Sequence, residues 1–172
     1  MTVEDITALF TRSSGDYVFA RWGRPIAPIV FGVEEQTLGV VKGALEAVMA
    51  LSGHKLMETD PELGANLMLF FFRDWDELAE VPDLGRLVPD LGSLLVRLKN
   101  VDANQYRIFR FDKDGSIKAC FVFLRMDEQL SAVPAETLAL SQIVQSVLLW
   151  SDTAFKSASP LGQTEKGVVL LR

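Results

Sequence analysis

The chain has 172 residues and a formal net charge of −6, and 49% of its residues are hydrophobic against 23% charged. This composition is typical of a globular domain and excludes a disordered chain, which lacks enough apolar residues to build a core. The 17 basic residues are scattered without forming a run. We therefore expect no nucleic-acid partner and no affinity for an anionic membrane. No apolar stretch reaches the roughly 20 residues that span a bilayer, so we expect no membrane insertion.

The first elements are a lead-in and a strand. The sequence of residues 1–15 predicts a short helical or irregular lead-in. Aromatic and small residues alternate over Tyr17–Trp22, which predicts a strand. Pro25 and Pro28 place the next stretch at a sheet edge or a bend. We expect the strand to resume over 29–31.

The middle of the chain predicts a long helix, a buried strand and a shorter helix. Apolar residues spaced by three and four indicate a helix over 34–51, and Gly53 ends it. The apolar run at 66–72 indicates a buried strand. Asp74 is placed to cap a short helix. The leucine-rich stretch that follows predicts a helix over about 89–98, with a looser turn before it.

A hairpin and a further helix complete the pattern. The runs at 105–111 and 116–126 flank an Asp-Lys-Asp-Gly turn at 112–115, which predicts a β-hairpin. Helical spacing then continues over 134–150, and 168–171 is the last apolar segment.

Strands and helices do not alternate regularly along this order, which favours an α+β fold. We expect one domain over residues 1–172, with a mixed or antiparallel sheet of about four or five strands and about three or four helices packed on it. The tail at 153–172 then docks on the sheet.

Metal and thiol chemistry find little support in the sequence. His54 is the only histidine and Cys120 the only cysteine, whereas structural zinc needs four nitrogen or sulfur ligands. We therefore expect no metal site. His54 follows a helix end, where a solvated or helix-capping role is more typical than that of a general base. Cys120 lies in an apolar run, so we expect an inert buried thiol rather than a dyad with His54.

Other catalytic patterns are absent or incomplete. There is no Gly-x-Ser-x-Gly elbow and no glycine-rich phosphate loop, so we expect no cofactor. The acidic residues at 112–115 resemble the opening of a calcium loop but lack its later ligands, and a hairpin turn explains them. Adjacent carboxylates are interpreted as solvated surface charge, with acid–base catalysis as the alternative; they are Asp74, Asp76, Glu77, Asp127 and Glu128.

One segment carries a family resemblance. Residues 140–152, which read LSQIVQSVLLWSD, resemble the signature of an uncharacterised proteobacterial family whose members are often described as lipoproteins. That signature has two glutamates, two spacers and a glutamine, and ends in Asn-Asp. The family in turn resembles zincin metallopeptidases, with this helix in place of the zinc helix. Arg21-Trp22 and the hairpin at 114–119 are similar to its earlier parts.

The match places Gln145 and Asp152 on the pattern but departs from it elsewhere. Ser141 and Gln142 stand where the two glutamates would be, and the second is the position of a zincin general base. Glutamine keeps the shape of glutamate but cannot take up a proton at neutral pH. The resemblance therefore implies a vestigial site at Ser141, Gln142, Gln145 and Asp152, with no catalytic residue and no metal.

Three hypotheses remain open. The first is a non-catalytic, zincin-like domain that binds an unidentified protein or peptide. The second is a hydrolase that uses carboxylates, with or without an external metal. The third is a homo-oligomeric structural or adaptor protein whose interface is supplied by the leucines of 84–98 and the tryptophans. We expect a cytoplasmic location from the chain as given, or a periplasmic or envelope location if the resemblance applies and a signal was removed.

Overall fold

A computed structural model describes residues 1–170 and confirms the α+β class. A 3-10 helix at Trp75–Glu80 accompanies the α-helices and strands. In chain order these are α1 Val3–Ala8, β1 Pro28–Phe31, α2 Glu35–Ser52, β2 Leu67–Phe72, α3 Leu84–Leu87, α4 Leu91–Asn100, β3 Gln105–Phe111, β4 Ile117–Arg125, α5 Glu128–Ser131, α6 Ala135–Val147, β5 Leu161–Thr164 and β6 Gly167–Leu170. No helix within residues 1–170 is both long and apolar enough to cross a membrane.

The main sheet is mixed and, in the part of the chain that the structure describes, has four strands in the order β1-β2-β4-β3. Strands β1, β2 and β4 are parallel, and β3 is antiparallel to β4 at the opposite edge from β1. A separate antiparallel pair is formed by β5 and β6. The sheet thus ends in an antiparallel edge strand, next to which α6 lies.

The sheet has helices on both faces because its strands are apolar on both sides. Alternate side chains of β2 and β4 point to opposite faces. On one face they pack with α2 and α6. On the other they pack with the 3-10 helix, α3 and α4, and the predicted leucines of this region are largely core residues; Leu84, Leu94, Leu95 and Leu98 are all buried.

The long helix and the hairpin follow their predictions closely. Val41, Leu45 and Val48 form the buried stripe of α2, and Gly53 ends the helix in a left-handed conformation at φ 67°. The turn between β3 and β4 contains Gly115 at φ 85°. Asp114 Oδ1 accepts hydrogen bonds from the backbone N–H and hydroxyl of Ser116. The acidic residues at 112–115 therefore belong to a turn.

The prediction of a strand over Tyr17–Trp22 is wrong. This segment makes isolated bridges to three different partners instead of one ladder. Tyr17 pairs with Thr11, Arg21 with Leu148, and Trp22 with Ile117. Because each residue faces a different element, no continuous strand forms.

The predicted end of the last long helix is also wrong, since α6 stops at Val147 rather than at residue 150. Leu148 is extended and pairs with Arg21. Two indole N–H groups satisfy carbonyls that the helix end leaves open. Trp22 Nε1 donates to Ser146 O at 2.9 Å, and Trp150 Nε1 donates to Val144 O at 2.7 Å.

Three smaller differences concern the helix at 89–98 and the tail. The predicted helix begins at Leu91 and continues to Asn100. Strand β6 falls on the predicted apolar segment 168–171, although Leu171 lies outside the described residues. Strand β5 was not predicted. The β5–β6 pair contacts α6 rather than extending the main sheet.

Candidate functional site

Helix α6 lies beneath the edge strand β3, and polar side chains join the two elements. Gln142 is only 1% exposed. Its Nε2 donates to Gln105 Oε1 at 2.9 Å, and its Oε1 accepts from Arg107 Nη2. Both amide ends of Gln142 are therefore held by β3.

Arg107 connects three successive polar positions of α6. Its Nε donates to Ser146 Oγ at 3.1 Å, and its Nη1 donates to Gln145 Oε1 at 3.4 Å. Ser146 Oγ in turn donates to Gln142 O at 2.7 Å. The guanidinium is thus fixed by neutral oxygen atoms.

Ser141 and Gln145 belong to the same cluster. Gln145 Nε2 donates to Ser141 Oγ at 3.0 Å and to Ser141 O at 3.2 Å. Ser141, Gln142 and Gln145 line one cavity of about 490 Å³ together with Gln105 and the segment 155–161. We call this space the α6–β3 groove. The structure brings these three predicted site residues together.

Asp152, the fourth predicted site residue, lines an adjoining cavity. That cavity has a volume of about 370 Å³ and shares Gln145 with the α6–β3 groove. The carboxylate of Asp152 accepts from the hydroxyl of Ser13 at 2.6 Å and from its backbone N–H at 2.9 Å. These hydrogen bonds lower the pKa of Asp152. Asp152 therefore anchors the N-terminal segment.

The electrostatics of the site are dominated by Arg107. Among residues 1–170, no carboxylate lies within 4.0 Å of its guanidinium. Burial lowers the pKa of Arg107, because a charged group loses hydration in the protein interior. The cluster therefore carries a positive charge surrounded by neutral acceptors.

Cys120 and His54 have separate surroundings. Cys120 is fully buried near Arg107, and burial raises the pKa of its thiol to about 12. His54 Nε2 donates to the backbone carbonyl of Arg24 at 2.9 Å. A thiol with so high a pKa is not a nucleophile at neutral pH.

Three of the five adjacent carboxylates act as caps or ion-pair partners, and Glu77 is exposed. Asp74 accepts from the backbone N–H of Asp76, and Asp76 pairs with Lys99. Asp127 caps α5, and Glu128 lies exposed in its first turn. Within residues 1–170, no group of three or more His, Cys, Asp and Glu side chains is arranged to hold a metal ion.

Three residues of the site were not predicted, namely Gln105, Arg107 and Ser146. A signal was present in the hairpin sequence. Gln105, Arg107 and Phe109 alternate along a predicted strand and therefore share one face. Gln105 and Arg107 are the polar residues of this face. Their presence indicates that the strand packs against an element that also carries polar groups.

Comparisons with protein-family models, with curated proteins and with solved structures found no match to this chain.

Proposed function

We propose that this protein is a non-catalytic, zincin-like domain that binds a protein or peptide partner in the α6–β3 groove. The observation that carries the proposal is the position of Gln142 and Gln145. They lie on a helix packed beneath a sheet edge, and both line the groove. This is the arrangement that the resemblance to a vestigial peptidase site implies.

The predicted site residues that line the groove, Ser141, Gln142 and Gln145, lack the groups for proton transfer. A general base must accept a proton near neutral pH. The amide of Gln142 cannot do so, and its two ends already bind Gln105 and Arg107. Ser141 Oγ accepts a hydrogen bond from Gln145 Nε2, and among residues 1–170 it makes no hydrogen bond to an imidazole or a carboxylate that could activate it.

The charge of the groove also opposes a divalent cation. Zinc sites use imidazole, thiolate or carboxylate ligands. The cluster instead presents an amide pair, hydroxyls and the guanidinium of Arg107. A fixed positive charge beside these groups repels a second cation.

A binding role is supported by the edge strand. One side of β3 pairs with β4, and within residues 1–170 its other side has no partner strand. Such an edge offers backbone N–H and C=O groups to an extended peptide. The groove below it supplies pockets for side chains.

A zinc titration tests the non-catalytic part of the proposal. We expect no saturable rise in the melting temperature of the wild-type protein, because a ligand raises it only when it binds the folded state. The double variant Lys42→His/Glu46→His, on the exposed side of α2, is the positive control, since two histidines one turn apart on a helix bind zinc. A saturable rise in the wild-type protein at micromolar zinc would contradict the proposal.

A peptide selection tests the binding part. Random peptides are selected on the immobilised wild-type protein and then measured against two tryptophan variants. Ser141→Trp fills the groove, whereas Val96→Trp introduces the same side chain at an exposed position of α4 on the other face of the sheet. We expect about tenfold or greater loss of affinity for Ser141→Trp and none for Val96→Trp. Equal binding by both variants would place the site elsewhere.

A further inference from the structure

Arg107 has hydrogen-bonding capacity that the protein does not use. A guanidinium has five N–H donors, and three of them are directed to Gln142, Gln145 and Ser146. The remaining two, one on each terminal nitrogen, have no acceptor among residues 1–170. Arg107 is half-buried, and a cation that has lost part of its hydration is stabilised by a paired anion, whereas its protein partners here are all neutral.

Arg107 lines the cavity of about 370 Å³. This volume is near the small end of the range for ligand pockets, about 300 to 1,000 Å³. Trp150 and Phe155 form an aromatic wall of the same cavity. Their rings meet edge to face at 5.0 Å, and Phe10 stacks on Trp150 at 5.2 Å. The wall is therefore held in place before any ligand binds.

The charges lining the cavity favour a single negative group. Lys156 adds a second cation to Arg107, and Asp152 adds one carboxylate. Asp152 already accepts two hydrogen bonds from Ser13. One formal positive charge remains, which a monoanion neutralises. A phosphate of higher charge is disfavoured further by the net charge of −6.

We propose that Arg107 binds the carboxylate of an apolar ligand, with the apolar part packed against Trp150 and Phe155. A carboxylate matches the planar fork of a guanidinium and accepts two parallel hydrogen bonds. The inference rests on the proposed function and deepens it, because this cavity adjoins the α6–β3 groove. The carboxylate belongs either to a small acid or to the C-terminus of a peptide.

Calorimetric titration with a matched pair of probes tests this inference. N-acetylphenylalanine carries the carboxylate, and N-acetylphenylalanine amide has nearly the same shape without the charge. We expect the acid to bind and the amide to bind roughly ten- to a hundredfold more weakly, as charge-assisted hydrogen bonds predict. Equal affinities, no binding of the acid, or tighter binding of inorganic phosphate would overturn the inference.

Two variants locate the binding to the cavity. Arg107→Met removes the fork and should abolish the preference for the acid over the amide. Should this variant fail to fold, Lys156→Glu supplies the test, since Lys156 is exposed at the cavity. Lys42→Glu makes the same charge change on an exposed part of α2. We expect several-fold weaker binding of the acid for Lys156→Glu alone. Equal weakening by both glutamate variants would contradict a local site.

Peptides distinguish the two sources of the carboxylate and separate this inference from the proposed function. Peptides from the selection are compared with free and amidated C-termini. Loss of binding on amidation identifies a peptide C-terminus. Groove-dependent binding that survives amidation, with no binding of the acid, overturns the carboxylate inference and leaves the proposed function standing. Binding of the acid without any groove-dependent peptide assigns the site to a small acid and removes the peptide partner.

Discussion

At the residue scale, Asp60 shows how one buried carboxylate joins two strands of the sheet. It is 2% exposed and accepts from Arg24 at 3.3 Å and from Asn66 Nδ2 at 2.9 Å. Asn66 Oδ1 accepts from the backbone N–H of Ala27 at 2.7 Å. Because Ala27 precedes β1 and Asn66 precedes β2, this chain of hydrogen bonds fixes where the two parallel strands begin.

Burial alone would raise the pKa of Asp60, but hydrogen bonds outweigh it and lower the pKa to about 2. The strongest of these come from the backbone N–H groups of Leu63 and Glu62, followed by Asn66 and Arg24. A lowered carboxyl pKa stabilises the fold at pH values above the unfolded pKa near 4. That contribution is lost as the pH falls from about 4 towards 2.

We predict that Asp60→Asn lowers the free energy of unfolding by about 2 kcal/mol at pH 7. The difference from the wild-type protein should shrink as the pH falls from 4 to 2.5, because Asp60 is then protonated in the unfolded chain while it stays largely ionised in the folded protein. Urea unfolding at pH 7, 4 and 2.5 measures it. Glu46→Gln, at an exposed position of α2, is the control and should change little at any pH. A difference independent of pH would contradict the assigned pKa.

Some residues of the candidate site could be predicted from the sequence, and others could not. Ser141, Gln142 and Gln145 were predicted from a motif, because they lie close together on one helix. Arg107 and Gln105 were not, since their role arises from the approach of β3 to α6 across a long stretch of chain. Sequence spacing describes one element, whereas side-chain pairing between elements needs the tertiary fold.

At the element scale, two glycines end secondary structure in different surroundings. Gly32 follows β1 at φ 82°, and a Cβ there would lie 2.0 Å from the backbone oxygen of Phe71. Gly53 follows α2 at φ 67°, and a Cβ there would meet no atom within 4 Å. Gly32 permits both the left-handed backbone conformation and the close approach to the backbone of Phe71. Gly53 permits the left-handed conformation alone.

We predict that Gly53→Ala lowers the free energy of unfolding by roughly 1 to 2 kcal/mol, the cost of a left-handed conformation for alanine. Gly32→Ala should cost more, because the backbone of β1 or β2 must also move. Urea unfolding of the two variants gives this comparison with the same chemical change in each. Equal destabilisation would show that the contact with Phe71 relaxes freely.

Elements with local signals were predicted well. The stripe and C-terminal glycine of α2, the apolar run of β2 and the Asp-Gly turn between β3 and β4 depend on nearby residues. The strand predicted at 17–22 and the end of α6 were wrong for one shared reason. Arg21 and Trp22 bind Leu148 and Ser146, so tertiary contacts set both boundaries.

At the scale of the whole molecule, the main sheet separates two hydrophobic clusters. Leu45 of α2 lies in one cluster, and Leu95 of α4 lies in the other. Strands β2 and β4 contribute side chains to both. Loss of either helix layer would therefore expose the same central strands, and the two clusters should unfold together.

We predict one cooperative transition for the wild-type protein, displaced by both Leu45→Ala and Leu95→Ala. Each substitution should cost about 2 to 5 kcal/mol, the usual range for a buried leucine. Far-ultraviolet circular dichroism and tryptophan fluorescence, recorded during urea unfolding, should coincide. Val96→Ala, at a position 59% exposed, is the control and should cost about 0.5 kcal/mol or less. Separate transitions for the two leucine variants would show independent units.

The parallel pairing of β2 with β4 has a consequence for synthesis of the chain. Leu67 pairs with Cys120, whereas Phe111 of β3 pairs with the nearby Ile117 of β4. At about 5 to 20 residues per second, a ribosome releases the apolar β2 several seconds before β4 and α6. During that interval the nascent chain carries an uncovered hydrophobic strand, which is the kind of segment that chaperones bind. The hairpin of β3 and β4 then closes locally and supplies the missing partner.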